Sequence, residues 1–160
     1  MTTVCRRAGV HAYVEPTSAP RLHLLRVDLT CVPTGDALDA LVVDLSTFAQ
    51  DHDERYVLHI RHVDSDTLQP PNLAELLALV GRLLDLKHLV DTKFRGTLVQ
   101  GRHVDDVVRT AKNLFLGLYQ PRRPFDIVAS DAEAAAFVDA ILARHQGTSS
   151  TLRGDVGGPT

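Results

Sequence analysis

Apolar and polar positions alternate along three stretches of the chain, which is the pattern of strands whose two faces meet different surroundings. These stretches are residues 9–14, 21–32 and 55–63. Between the first two stands Pro-Thr-Ser-Ala-Pro at residues 16–20, a cluster that ends a strand and favours a chain reversal. The pattern therefore predicts an N-terminal hairpin, followed later by a strand with one fully apolar face.

Elsewhere the apolar positions recur every three or four residues, as they do in amphipathic helices. This spacing predicts a helix after Asp36, one over residues 73–84, one over residues 104–119 and one after Asp131. Thr34 or Asp36 can cap the first of these helices, and Asp131 the last, by accepting from free amides. Short apolar runs at residues 97–100 and 125–128 predict two more strands between the helices.

The order of these elements predicts an α/β domain. Strands that are joined by crossover helices must lie parallel, whereas a hairpin is antiparallel, so we expect a mixed, mostly parallel sheet with about four helices. The domain is expected to span residues 9–145, after an N-terminal extension of residues 1–8. Residues 146–160 are rich in Gly, Ser and Thr and poor in apolar side chains, which predicts a disordered tail.

Composition and charge narrow the classes of function. A formal charge of -3 and a pI near 6.2 disfavour a nucleic-acid binder, because such proteins concentrate Lys and Arg. With two cysteines and no signal-peptide pattern at the start, we expect a cytoplasmic protein without a disulfide framework. Charged residues and a glycine interrupt the most apolar window, residues 73–84, so no membrane span is expected.

Two strands and a helix come first, an apolar strand then leads into a leucine-rich helix over residues 56–84, and strand and helix alternate to the end. In this order the chain resembles the STAS domains of anti-sigma-factor antagonists and sulphate transporters, over residues 9–145. The resemblance implies a fold that is used to bind protein partners or small anionic ligands, with no chemistry of its own. It also implies a phosphorylatable Ser or Thr where the helix after the central strand begins, in a run such as Asp-Ser-Ser-Gly-Leu.

The chain departs from the family pattern at that position. The matched stretch, residues 69–73, reads Gln-Pro-Pro-Asn-Leu, so a switch by phosphorylation at the usual site is not expected. Two hydroxyls lie a few residues upstream, but the acids beside them would repel an added phosphate. A solvated polar loop explains the segment most simply, and its polar residues are candidates for contact with a partner. These candidates are Asp64, Ser65, Asp66, Thr67 and Asn72.

Two other segments are candidates for binding an anion or an acidic partner. Gly101, Arg102 and His103 precede the helix over residues 104–119, and free amides at a helix start attract phosphate or carboxylate. They lack the spacing of a nucleotide-binding motif, and ordinary capping explains them as well. Arg122 and Arg123 form a cationic turn between two prolines, where a carboxylate or phosphate of a partner could dock, although two solvated arginines would look the same.

No set of residues identifies a reaction, a cofactor or a metal. His59 and His62 point to opposite faces of one strand, so they do not form a metal-binding pair. Cys5 and Cys31 lie in or near strands and are expected to be small buried apolar groups rather than nucleophiles.

We therefore expect a non-catalytic interaction or regulatory module that binds a protein partner or a second copy of itself. Acidic residues concentrate in the first helix and basic residues later in the chain, and complementary patches of this kind select partners. The alternative is a domain that binds a small anion or nucleotide at Gly101, Arg102 and His103. A third interpretation is an enzyme whose residues are scattered beyond recognition in the sequence.

Overall fold

The fold is described by a computed structural model, which describes residues 1–31, 33, 35–63, 74, 78, 81–82, 85–101 and 106–151. These residues form a six-stranded sheet in which the strands stand side by side in their sequence order. The strands are β1 (Thr2–Arg7), β2 (Val10–Pro16), β3 (Leu22–Leu29), β4 (Arg55–His62), β5 (Phe94–Gln100) and β6 (Phe125–Val128). The helices of the described part are α1 (Gly35–Asp51), α2 (Lys87–Thr92), α3 (Asp106–Tyr119) and α4 (Asp131–Thr151).

The sheet is mixed. β1, β2 and β3 pair antiparallel, whereas β3, β4, β5 and β6 pair parallel. The predicted α/β fold, with an antiparallel hairpin at the N-terminal side of a mostly parallel sheet, is therefore confirmed. The hairpin that the sequence predicts is the pair β2 and β3.

Each face of the sheet has its own apolar core. On one face, α1, α2 and α3 contribute Leu45, Val90 and Phe115 to a core built on the central strands. On the other face, Ile141 of α4 packs against buried side chains of β3 and β4, including Val57. The strands are therefore covered on both sides, which is the arrangement expected of a parallel sheet.

Gly96 allows α4 to lie close to β5. A Cβ atom at this position would overlap Cδ1 of Ile141 and would stand 3.3 Å from Cε1 of Phe137. Only glycine leaves room for such an approach of helix to strand. The position of α4 over the sheet therefore depends on the absence of a side chain at residue 96.

The expected N-terminal extension, residues 1–8, contains strand β1 instead. β1 lies at the edge of the sheet and is partly exposed along its length, so it lacks the alternation by which a half-buried strand is recognised in a sequence. Gly9, with φ of +72°, closes the turn into β2, a conformation that glycine adopts without strain. The domain therefore begins earlier than residue 9.

Three other boundaries differ from the expectation or fall outside the described residues. α4 continues to Thr151, past the predicted end of the domain at residue 145, because a helix that is already nucleated can extend at little cost. The rest of the predicted tail, residues 152–160, lies outside the described part. Most of the helix predicted over residues 73–84 also lies outside it. The six-residue helix α2 was not predicted because it is too short to show a clear apolar period.

The expectation of two buried cysteines is wrong for Cys31, which is exposed, while Cys5 is half-buried. The reason is that β3 ends at Leu29, so Cys31 lies in the turn that follows the strand. None of the helices in the described ranges combines the length and apolar character needed to cross a lipid bilayer.

Candidate functional site

An open cleft of about 340 Å³, lined by both polar and apolar side chains, lies between α4 and the central strands. We call it the sheet-face pocket. Its floor includes Arg26 of β3, His59 and Arg61 of β4 and Gln100 of β5, and α4 forms the facing wall. All these floor residues lie in the carboxyl-terminal halves of their strands. The volume falls within the usual range for a small-molecule site.

The alternation of side chains along the strands explains why polar groups meet here. Leu24 and Arg26 lie on one face of β3, two residues apart, and the register places Arg26 beside His59 of β4. Early positions on this face are apolar and pack under α4, as Leu24 and Val57 do. Later positions on the same face are polar, so the apolar core gives way to a polar pocket toward the carboxyl ends.

A chain of hydrogen bonds crosses the sheet at the floor of the pocket. Arg26 donates from Nε to Oε2 of Glu15 at 2.7 Å and from Nη1 to Nδ1 of His59 at 2.9 Å. Nε2 of His59 donates to Oε1 of Gln100 at 2.8 Å, and Nε2 of Gln100 donates to Oδ1 of Asp131 at 2.6 Å. The chain links β2, β3, β4, β5 and the start of α4, which we call the cross-sheet relay.

The relay fixes the protonation state of His59. A guanidinium only donates hydrogen bonds, so Nδ1 must accept from Arg26, and the ring proton must be on Nε2, where it meets a carbonyl oxygen. The ring is 3% exposed. Burial lowers the pKa of His59, and the charges of Arg26 and Arg61 lower it further, although the hydrogen bond with Gln100 opposes this effect. His59 is therefore neutral at neutral pH.

A second group of side chains supports the pocket beside the relay. Arg61 donates from Nε to Oδ1 of Asp28 at 2.5 Å and from Nη2 to Oδ2 at 3.0 Å. Nη2 also donates to the hydroxyl of Tyr13 at 3.0 Å. Burial acts to raise the pKa of Asp28, but the hydrogen bond and charge of Arg61 outweigh it, so this pKa is lowered. The two-point contact holds the guanidinium in a fixed orientation.

Both guanidinium groups of the pocket keep one unused terminal nitrogen. Among the described residues, Nη2 of Arg26 and Nη1 of Arg61 donate no hydrogen bond. The side chains are 22% and 31% exposed, so both remain within reach of a solute. Two guanidinium groups on neighbouring strands therefore border the same cavity, and each has a terminal nitrogen that can donate a hydrogen bond to a ligand.

Asp131 belongs to the pocket. The sequence predicts Asp131 as the cap of α4, and this prediction is wrong. Ser130 takes that role: its Oγ accepts from the amide of Glu133 at 3.2 Å, and Oε2 of Glu133 accepts from the amide of Ser130 at 3.1 Å. This reciprocal pair is a capping box. The Asp131 carboxylate is therefore left to accept from Gln100, and together with Asp139 it gives the α4 wall of the pocket an acidic border.

The residues that the sequence singled out do not form this pocket. Gly101 follows Gln100 at the end of β5, and its amide donates to the carbonyl of Val128 at 3.0 Å. Arg102 and His103 lie outside the described residues, as do all the candidates of the loop before residue 73: Asp64, Ser65, Asp66, Thr67 and Asn72. Arg122 is exposed and Arg123 is half-buried, in the turn before β6.

Sequence reasoning missed the floor of the pocket, although a signal was present. Charged residues occupy alternate positions in two otherwise apolar strands, Arg26 and Asp28 in β3 and Arg61 in β4. Charged side chains are rarely buried unless they are paired, so such positions on adjacent strands indicate a shared polar site. The sequence does not show which strands are neighbours in the sheet, and the floor of the pocket cannot be predicted without that order.

Within the described ranges, no group of three or more His, Cys, Asp or Glu side chains is placed to hold a metal ion. Comparisons of the chain with family models, with curated proteins and with solved structures found no match.

Proposed function

We propose that this domain is a non-catalytic interaction or regulatory module that binds a small anionic molecule in the sheet-face pocket. One observation carries the proposal: Arg26 and Arg61, on neighbouring strands, border the same cavity, and each has one guanidinium nitrogen that donates to none of the described residues. Guanidinium groups with fixed orientation are suited to carboxylate and phosphate oxygens.

The charge pattern of the pocket further restricts the ligand. Arg26 and Arg61 lie on the floor, whereas Asp131 and Asp139 of α4 lie on the facing wall. Each arginine already pairs with a carboxylate, so an acidic group is favoured at the floor only as an acceptor for the guanidinium nitrogens that have no partner among the described residues, and a hydroxyl or ammonium group is favoured near the wall. The ligand class that fits both is a small molecule with an acidic group at one end and a hydrogen-bond donor at the other.

The proposal of a non-catalytic module is supported by the state of two groups in the described part of the chain, His59 and Cys5. Both ring nitrogens of His59 are engaged in hydrogen bonds, so neither is available to take a proton from a ligand. Burial raises the pKa of the Cys5 thiol, and the charge of Asp44 adds to this, which weakens Cys5 as a nucleophile. The residues around the pocket are therefore better suited to binding than to catalysis.

Binding of a protein partner, expected from the sequence, remains part of the proposal. A module that senses a small molecule must pass the bound state to another protein. Leu114 and Leu118, one turn apart on α3, are exposed by 44% and 72% and offer an apolar contact on the opposite side of the sheet from α4. Single exposed leucines are common, so the pocket remains the stronger observation.

The test uses variants that fill the pocket from the wall, where no hydrogen bond is lost. Ala135 is exposed and borders the pocket, whereas its exposed neighbour Ala136 does not. We expect Ala135→Leu to block the pocket and Ala136→Leu to leave it open. Binding is measured by isothermal titration calorimetry and thermal unfolding at constant ionic strength, with acetate, phosphate, glycine and phosphoethanolamine.

The expected result is that compounds carrying both an acidic and a donor group raise the unfolding temperature more than acetate or phosphate does. At a concentration of about 100 times Kd the stabilisation is about 2.7 kcal/mol, or roughly 5–10 °C for a chain of this size. Ala136→Leu should keep the effect and Ala135→Leu should lose it. Equal binding by both variants would show that the pocket is not the site.

A further inference from the structure

Three arginines gather at the amino-terminal end of the parallel strands, away from the sheet-face pocket. Arg55 is the first residue of β4, Arg95 is the second residue of β5, and Arg123 lies in the turn just before β6. Thr97 pairs with Phe125 at the start of the contact between β5 and β6, so Arg95 and Arg123 each lie two residues before a paired position. The amide of Thr97 also donates to the carbonyl of Pro124, which holds this turn beside β5.

These arginines lack the partners that the other half-buried arginines have. Among the described residues, none of the three forms an ion pair, whereas Arg26 and Arg61 each hold a carboxylate. The nearest acid in sequence, Glu54, is paired with His23 at 2.9 Å. Within the described ranges, no acidic side chain therefore forms an ion pair with the cluster.

Two donors of the cluster are buried without an acceptor. Nε of Arg95 and Nε of Arg123 are out of contact with solvent and have no hydrogen-bond partner in the part of the chain that the structure describes. Burial lowers the pKa of Arg95, and the charges of Arg123 and Arg55 lower it further. Unpaired buried donors on charged groups are costly, and folded proteins ordinarily satisfy them.

We infer that Arg55, Arg95 and Arg123 form a second binding site, whose ligand is a tetrahedral oxyanion of the phosphate or sulfate class. Such an ion supplies several acceptor oxygens and the negative charge that the cluster lacks. Guanidinium groups from adjacent strands can surround it, because neighbouring strands are about 5 Å apart. This site is independent of the proposed function and uses none of the residues of the sheet-face pocket.

The test is made with sulfate in the Ala135→Leu background, in which the sheet-face pocket is filled. Titration calorimetry is run at ionic strength matched with chloride, so that general screening is the same in all samples. The matched pair of variants is Arg123→Gln and Arg122→Gln, which remove the same charge from the same turn. Arg122 is exposed and carries no orphan donor among the described residues.

We expect the Ala135→Leu protein to bind one sulfate at the cluster. Adding Arg123→Gln should weaken this binding at least about tenfold, as expected for the loss of a charge-assisted hydrogen bond, while adding Arg122→Gln should change it less than about threefold. In sulfate-free buffer Arg123→Gln should unfold at the same or a higher temperature than its parent, because it removes mutual repulsion. Absence of sulfate binding in the Ala135→Leu protein, or equal weakening by both substitutions, would overturn the inference.

Discussion

The close approach of α4 to β5 can be tested by adding a single methyl group. Gly96→Ala places a Cβ atom that overlaps Cδ1 of Ile141 and presses on Cε1 of Phe137 at 3.3 Å. Ile141 is 5% exposed, so its side chain has little space into which it can turn. Overpacking of a buried site by one methyl group costs about 1–3 kcal/mol. An alanine in a strand recovers about 0.5–1 kcal/mol of backbone entropy, so the expected net loss is about 1 kcal/mol and does not exceed roughly 2.5 kcal/mol.

Chemical unfolding followed by circular dichroism measures this loss, and two further variants make the result specific. Gly117→Ala, in α3, adds its Cβ where no atom lies within 4 Å and should stabilise the protein by about 0.5–1 kcal/mol. Ile141→Val removes the overlapping Cδ1 atom, so the double variant with Gly96→Ala should lose less than the sum of the two single losses. Additive losses, or a stabilising Gly96→Ala, would refute the close contact between α4 and β5.

Two further predictions concern the charged groups on the same face of the sheet. Asp28→Asn removes the carboxylate that pairs with the partly buried guanidinium of Arg61 and should lower the free energy of unfolding by about 1–3 kcal/mol. The control, Asp53→Asn, breaks an exposed ion pair and should lower it by less than about 0.5 kcal/mol. Both values are measured by the same denaturant titration. His59 has a native pKa below its ordinary value of 6.5, so the unfolded chain takes up its proton first as the pH falls. The neutral ring therefore makes its full contribution to the free energy of unfolding above pH 6.5, and this contribution is lost as the pH falls through the native pKa. The free energy of unfolding decreases by no more than about 1.4 kcal/mol per pH unit. His59→Gln should reduce the slope of stability against pH below 6.5, and an unchanged slope would contradict the neutral, buried ring.

Much of the fold could be predicted because burial imposes a period on the sequence. β4 shows this well: Tyr56, Leu58 and Ile60 share one parity, and all three enter the core under α1 and α2. β1 could not be recognised because an edge strand with two partly exposed faces has no such period. The sequence does not distinguish Ser130 from Asp131 as the cap of α4, because both residue types are good caps. Only the capping-box contacts between Ser130 and Glu133 identify the cap.

The candidate site was harder to predict than the fold, for a physical reason. Its floor depends on Arg26, His59 and Gln100, which come from three strands and are far apart in the sequence. Their meeting is decided by strand order and register, which sequence periodicity does not contain. In the sequence, His59 stands near His62 and suggests only a metal ligand, whereas its hydrogen-bond partners lie on the neighbouring strands.

The order of the strands has a consequence for how the chain reaches its structure. Each strand pairs with the strand that precedes it in the sequence, so no strand has to be inserted between two that are already paired. Each loop that must close during folding joins strands that are consecutive in the sequence, and the entropic penalty of closing a loop grows only slowly with its length. The sheet can therefore grow in one direction, from β1 to β6, as the chain leaves the ribosome. α4, which forms the wall of the pocket, is the last of the described elements to be synthesised, so the ligand site is completed only at the end of this growth.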